Sequence, residues 1–409
     1  MTGQAHRLQT QQVRLLEGGR AYFNALVEAM GQAREHILLE TYILDFAGDA
    51  ERVVLAMMAA ARRGVQVWLV MDGVGTGALP ANWAARLDAA GVQWRLYAPL
   101  GRLGLLLPSR WRRLHRKLCV IDEHTAFCGG INILDDWLDP RHGPLAHPRL
   151  DYAVQVQGPL VLAIREAMTQ LWWRLQAVRQ VRQRDFPRAL RAWRQSSPLQ
   201  RLEAASPLAR GELRPGRAML LLRDNLRHRH RIERAYRRAI AQARDEIVLA
   251  NAYFLPGWRL RQALIAAARR GVRVRLLLQG RYEYFMQYHA ARPVYGPLLA
   301  AGVEIHEFEP SFLHAKVAVV DPGRERCWAT VGSSNLDPLS LLLAREANLV
   351  VADRAFAGEL CLRLEQVIAT QSRPVRLEDI ARRPWTQRLQ DRVALGLMRL
   401  ALFLTGHRY

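Results

Sequence analysis

Only two lysines occur in this 409-residue chain, and both sit in the same eight-residue pattern. Lys117 lies in His115-Arg116-Lys117-Leu118-Cys119-Val120-Ile121-Asp122, and Lys316 in His314-Ala315-Lys316-Val317-Ala318-Val319-Val320-Asp321, so each segment reads HxKxxxxD. All remaining Lys-or-Arg positions hold arginine. A compact ammonium and a planar guanidinium fork are not interchangeable where a small anion is held in a tight pocket. The pair therefore reads as two half-sites for one anionic group. Each motif is followed by a glycine turn and an asparagine, in Gly129-Gly130-Ile131-Asn132 and in Gly332-Ser333-Ser334-Asn335.

Two His, two Lys and two Asn suit phosphoryl-group transfer through a covalent enzyme intermediate. One imidazole attacks phosphorus; the other protonates the departing alkoxide and later deprotonates the incoming alcohol or water. The lysines, with Asn132 and Asn335, would neutralise and hydrogen-bond the nonbridging oxygens as the trigonal bipyramid forms. Glu346 and Asp151 are candidates to hydrogen-bond the ring nitrogen remote from phosphorus and so fix each tautomer. Asp122 and Asp321 fall at an odd offset from each Lys, pointing away from the histidine face of a regular strand, which reads as support for the motif. The chemistry requires no metal or other cofactor, and the ligand spacings of metal sites are absent.

Such residues need rigid elements to aim them. The runs Leu118 to Ile121 and Val317 to Val320 are short, apolar and bounded by turn residues, as buried strands are. On a strand, positions i and i+2 share a face, so His115 points with Lys117 and His314 with Lys316. The surroundings repeat too. Ala59-Ala60-Ala61-Arg62-Arg63-Gly64-Val65 recurs as Ala266-Ala267-Ala268-Arg269-Arg270-Gly271-Val272, Gln32-Ala33-Arg34 as Gln242-Ala243-Arg244, and Ala90-Gly91-Val92 as Ala301-Gly302-Val303. The chain is thus a tandem duplication of an α/β unit. Each unit reads helix, strand (37–44; 247–253), helix, glycine turn, strand (65–71; 272–278), helix and motif strand. That alternation gives a sheet with helices on its faces. The expected divisions are a first lobe at 1–195 ending in an Arg-rich, Trp-containing helical stretch, a linker at 196–216, a second lobe at 217–370 and a tail at 371–409.

The net charge of +22 calls for an acidic partner, either nucleic acid or an anionic membrane. Cys119, Cys128, Cys327 and Cys361 lack metal-ligand spacing and read as reduced small hydrophobes. Met1 to Gln12 has no signal-peptide pattern, and no segment approaches the ~20 apolar residues needed to span a bilayer.

The duplicated motif with its trailing Gly-x-x-Asn resembles the phospholipase D superfamily. Tyr253-Phe254-Leu255-Pro256-Gly257, Leu313-His314-Ala315-Lys316 and Trp328 to Ser340 are similar to bacterial cardiolipin synthases, and the likeness covers most of 13–370. It is closest to the shorter type without N-terminal transmembrane helices. The resemblance implies two pseudo-symmetric α/β lobes, each a mixed sheet flanked by helices, around one shared active site. It also implies that two phosphatidylglycerols are joined into cardiolipin and glycerol through a phosphatidyl-histidine. It maps His115, Lys117, Asp122 and Asn132 onto one half, and His314, Lys316, Asp321, Asn335 and Glu346 onto the other. The expected catalytic set is His115, Lys117, Asp122, His314, Lys316 and Asp321, with Asn132, Asn335, Ser333, Glu346 and Asp151 expected on the substrate side. The first half departs from the second in having Gly130 where Ser333 stands, and in an acidic residue, Asp151, displaced by the insertion 134–149. The expected order of events has His115 as nucleophile and His314 as acid/base.

The stretch 99–113, an apolar tip flanked by arginines and a tryptophan, suits insertion into an anionic interface beside His115. The apolar stretch 393–404 fits either an interfacial helix or a cap on the second lobe. The expected setting is peripheral, on the cytoplasmic face of a bacterial membrane, with phosphatidylglycerol and possible phosphatidylethanolamine as lipid partners. Rival readings are phospholipid hydrolysis, transfer to serine or ethanolamine, a nuclease and a non-enzymatic scaffold. The nuclease is disfavoured because no aromatic stacking platform is evident.

Overall fold

The apolar runs behind each HxK pair fold as inner strands, Leu118–Ile121 and Lys316–Val320, with every residue buried. The computed structural model describes residues 11–101, 111–140, 142–196, 216–224, 230–283, 285–337 and 344–404. Antiparallel to the two inner strands lie His36–Thr41 and Glu246–Asn251. Those pair in parallel with Gln66–Asp72 and Arg273–Gln279, which in turn pair in parallel with Gln93–Tyr97 and Glu304–Phe308. On the other side of each inner strand come Thr125–Gly129 and Trp328–Gly332, then Tyr152–Gln157 and Ala344–Ala352, then Gln12–Glu17 and Arg217–Arg223, all antiparallel. Both mixed sheets thus share one strand order, and Ser372–Val375 extends the second.

The repeated Arg-Gly pairs end the helices Asp49–Arg62 and Trp258–Arg269. Gly64 (φ 94°) and Gly271 (φ 89°) adopt the left-handed conformation that closes such an end and returns the chain to the next strand. The strands expected over 37–44 and 247–253 stop at Thr41 and Asn251. Beyond them the chain lifts off to bridge the segment after each glycine turn, Leu44 to Ile133 and Phe254 to Leu336.

Three large cores, among the described residues, hold the arrangement. The outer face of the first sheet packs Phe23, Leu26, Val53 and Met57 from its helices against Leu39 and Leu69, and the second sheet does the same with Tyr236, Ile240, Leu260 and Leu264 against Leu249 and Leu276. The inner faces share one continuous core. It joins Val120 and Val154 of the first half to Val319 and Leu349 of the second, and includes the helices Leu160–Arg182 and Arg354–Gln371. At roughly 1.5–3 kcal/mol for each fully buried aliphatic side chain, this core binds the halves into one body. All four cysteines are buried and free.

Several expectations from sequence fall on residues outside those described: 102–110 of the apolar loop and 197–215 of the linker. The C-terminal helix Trp385–Leu404 lies on Phe285–Leu299 through Asp391, whose carboxylate meets His289 at 2.6 Å, and through buried Ala394 and Met398. Its other face, with Trp385, Leu389, Val393 and Leu397, is exposed.

Asp122 and Asp321 do not reach any catalytic position. The Asp122 carboxylate accepts the backbone N–H groups of Arg34, Glu35 and His36 at 3.1, 2.9 and 3.0 Å, and Asp321 those of Arg244, Asp245 and Glu246 at 2.8, 2.8 and 3.0 Å. Each pins the entry of the neighbouring strand, and each occupies the left-handed region, at φ 51° and 49°, which Asp tolerates better than most residues. This corrects their mapping onto the catalytic set. Burial raises the Asp122 pKa, but the three backbone donors outweigh it and hold the group below its ordinary value. Its stabilising effect is therefore fully present above the unfolded carboxylate pKa of ~3.9 and is lost as pH falls through the lower folded value. Replacing either residue by alanine should lower the melting temperature, at a cost of about 2 kcal/mol, while the remaining folded fraction keeps its turnover per molecule; thermal denaturation alongside active-site titration checks both.

Candidate active site

Each histidine stands in an extended segment between two pairings, one with its own sheet and one with the opposite half. Arg113–Leu114 runs parallel to Ala344–Arg345 of the second sheet, and His115 donates its backbone N–H to the Arg345 carbonyl at 3.0 Å. In the mirror arrangement Leu150 bridges Leu313, and the His314 N–H reaches the Leu150 carbonyl at 2.8 Å. The residue after each of those carbonyls is a buried acid. Glu346 therefore meets His115 Nδ1 at 3.0 and 3.1 Å, and Asp151 meets His314 Nδ1 at 2.6 Å. A carboxylate there takes the Nδ1–H of a neutral ring and leaves Nε2 as the free lone pair.

Both rings face a cleft of about 580 Å3, lined also by Asn132, Asn335, Asp151, Tyr42, Tyr253 and Glu283 among others. Lys117 and Lys316 lie behind the rings, 2% and 0% exposed, and each ammonium donates to the carbonyl of its own motif histidine. Lys316 Nζ is also 4.0 Å from Asp151. Burial first, and then Lys316, drive Lys117 down to about 7; burial likewise takes Lys316 down to about 8. Burial lowers His115 against the opposing pull of Glu346, and holds His314 well below its ordinary value with the two lysines adding to the effect. Asp151 is pushed up to about 7 by burial, which Lys316 only partly offsets. The site thus holds two neutral imidazoles and two buried ammonium groups that burial makes easy to deprotonate, and an arriving anion favours their charged forms.

Ser333 and Glu346, expected on the substrate side, are fully buried and do not line the cleft. The Ser333 hydroxyl donates to Glu346 at 2.5 Å and receives the Ala347 N–H at 3.0 Å, so this pair aligns His115 from behind. The first half has no room for a serine. A Cβ on Gly130 would stand 2.3 Å from Asp151 Oδ1, because the shorter acid sits directly over the turn. Despite the preceding insertion, Asp151 occupies the place corresponding to Glu346: Gly130 N–H reaches the Tyr152 carbonyl just as Ser333 N–H reaches that of Ala347.

Other positioning residues escaped the sequence reading. Buried Asp72 accepts the Leu114 N–H at 2.7 Å and pairs with Arg113 at 3.1 Å, while Gln279 accepts the Leu313 N–H at 2.9 Å. These two end the same repeated strand, so superposing the repeats marks them. Tyr42 packs edge-on to His115 with ring centroids 5.0 Å apart. In the insertion, Asp135 receives the Asp49 N–H at 2.9 Å, and Asp136 receives that of Gly19. Two helix starts of the first lobe are thereby tied to the cleft wall.

This fold and crossed pair of histidines define a phospholipase D-like phosphoryl-transfer enzyme. The model of the cardiolipin synthase phospholipase D-like domain matches residues 26–140 and 236–368, and the chain belongs to that family of phosphatidyltransferases. It is 37% identical over 399 residues to cardiolipin synthase B of Escherichia coli (strain K12), covering 96% of this chain and 89% of that protein. Cardiolipin synthase A of Pseudomonas putida (strain W619) is 32% identical over 395 residues, covering 95% of this chain and 74% of that protein. In fold, the chain is similar to phosphatidylserine synthase from Haemophilus influenzae Rd KW20 (TM-score 0.68, 12% identity, 95% and 94% of the two chains). It is also similar in fold to polyphosphate kinase from Porphyromonas gingivalis (TM-score 0.56, 13% identity, 95% and 53%).

Gly130→Ala should displace Asp151 and with it the His314 ring. Since a misplacement of ~1 Å can cost on the order of 100-fold, kcat should fall by about that factor with the circular dichroism spectrum unchanged.

Proposed function

We propose that the chain synthesises cardiolipin from two phosphatidylglycerols, working peripherally on the cytoplasmic face of a bacterial membrane. The observation that carries this reading is the pair of imidazoles on one cleft, each oriented by a carboxylate of the opposite half. His115 Nε2 attacks phosphorus of the first lipid. The N–P bond forms, the P–O bond to glycerol breaks, and His314 delivers a proton to the leaving alkoxide. In the second step His314 removes a proton from a headgroup hydroxyl of another phosphatidylglycerol, the new P–O bond forms and the P–N bond to His115 breaks. His115 is taken as the nucleophile and His314 as the acid and base. The Asp151 carboxylate, 2.6 Å from His314 Nδ1, is placed to stabilise the imidazolium that forms there once the lipid anion is bound. Asn132 and Asn335, which line the cleft, hydrogen-bond the nonbridging oxygens, and the buried Lys117 and Lys316 help neutralise their charge from behind the rings. The lipid's own negative charge restores protons to the lysines and to His314 on binding.

Purified protein incubated with phosphatidylglycerol vesicles should yield cardiolipin and glycerol by mass spectrometry, with His115→Ala and His314→Ala inactive. Phosphatidic acid as the main product would replace this reading by hydrolysis. A substrate with a nitrophenolate leaving group needs no acid, so His314→Ala should regain release of nitrophenol while His115→Ala should not. The opposite pattern would exchange the two roles.

Because kcat/KM reports the free enzyme, it should fall as pH rises through about 7 to 8, where Lys117 and Lys316 lose their protons and with them their hold on the anion. Changing either lysine to arginine keeps the charge but not the fit, and should cost on the order of 100-fold in kcat/KM; equal activity in both variants would show that charge alone matters.

A further inference from the structure

The helical hairpin that closes the first half has a surface that the reaction leaves unused. Its first helix, Leu160–Arg182, starts at the end of the sheet remote from the cleft, where Arg165 pairs with Glu123 at 2.7 Å. It reaches the cleft end at Leu171 and Trp172, which pack with Val70, Tyr97 and Leu114, the last being the residue before His115. Ten further residues carry it roughly 15 Å onward in that direction, at ~1.5 Å per residue. The chain then turns, and Asp185 caps the second helix, Phe186–Gln195, by accepting the Arg188 N–H at 3.1 Å.

On this second helix Ala189 and Ala192 are buried. Phe186, Leu190 and Trp193 follow helical spacing along one stripe and are 64%, 53% and 61% exposed. Val178 and Val181 near the end of the first helix are exposed as well. The exposed arginines 179, 182, 184, 188, 191 and 194 surround this apolar surface, and Asp185 is the only acid between residues 178 and 196. An aromatic and aliphatic stripe edged by arginine matches the interface of an anionic bilayer, where rings sit at headgroup depth and guanidinium groups meet lipid phosphate. The hairpin is too short and too charged to cross the bilayer; no helix among the described residues is long and apolar enough to do so.

We infer that this hairpin tip docks the protein on an anionic phospholipid surface, with Phe186, Leu190 and Trp193 inserted between headgroups, and so holds the cleft at the level from which its lipids enter. The inference rests on the lipid-transfer reading for its purpose, but binding is measured apart from turnover. Full-length protein carrying His115→Ala should cosediment with vesicles of phosphatidylethanolamine and phosphatidylglycerol, and adding Phe186→Ser with Trp193→Ser should lower that partition by about tenfold or more. In the parent background the same two changes should slow turnover on vesicles comparably and leave turnover of water-soluble, short-chain phosphatidylglycerol unchanged. Arg191→Gln with Arg194→Gln should weaken binding to the anionic vesicles while leaving the weak binding to phosphatidylcholine vesicles as it is. Unchanged partition of a folded Phe186/Trp193 variant would overturn the inference. So would a parent dimer lost on those substitutions while partition stays the same, which would make the stripe a contact between copies. Loss of short-chain turnover together with vesicle turnover would assign the stripe to support of the cleft instead. Vesicle binding that depends on the stripe in a protein making no cardiolipin would leave docking in place and remove the proposed reaction.

Discussion

Everything in the active site depends on a crossed contact: the carboxylate that orients each histidine comes from the other half of the chain. Glu346 serves His115 and Asp151 serves His314, and the backbone carbonyl just before each acid holds the same histidine's N–H. Neither half is a complete site. Sheets, inner helices and glycine turns all serve to bring two extended segments past one another at hydrogen-bonding distance.

The crossing explains the electrostatics. Two ammonium groups, two imidazoles and two carboxylates share a space from which solvent is largely excluded, so burial lowers every cation in it and raises Asp151. Burial makes those cations easy to deprotonate, and a bound anion favours their charged forms. The two half-sites are similar without being equal. A serine buttresses the longer acid on one side. On the other a glycine makes way for the shorter acid, which leaves that acid nearer its lysine. A duplicated fold thereby supplies two histidines with different surroundings, as the proposed two-step transfer uses them.

Rigidity comes from the core shared between the sheets. Valines of both inner strands meet in one apolar interior with the two helices that follow the carboxylate-bearing strands. Separating the halves would expose that interior, so the geometry across the cleft is secured by the same burial that stabilises the fold. The ion pair of Arg363 with Glu17 at 2.8 Å ties the halves again at the surface, where it adds little.

The repeated HxKxxxxD, the trailing Gly-x-x-Asn and the repeated Ala-Ala-Ala-Arg-Arg-Gly-Val were enough to read, from sequence alone, a duplicated α/β unit and a paired His/Lys anion site. Residue type and spacing carry that much because lysine differs physically from arginine and because strand periodicity is local. The tertiary structure alone decided which acid serves which histidine, since those partners lie 231 and 163 residues away along the chain. It also decided that Asp122 and Asp321 secure strand entries, and that Ser333 stands behind Glu346 away from the cleft. Those assignments depend on the register between strands of opposite halves, and register is set by packing across the shared core, to which spacing within one segment is blind.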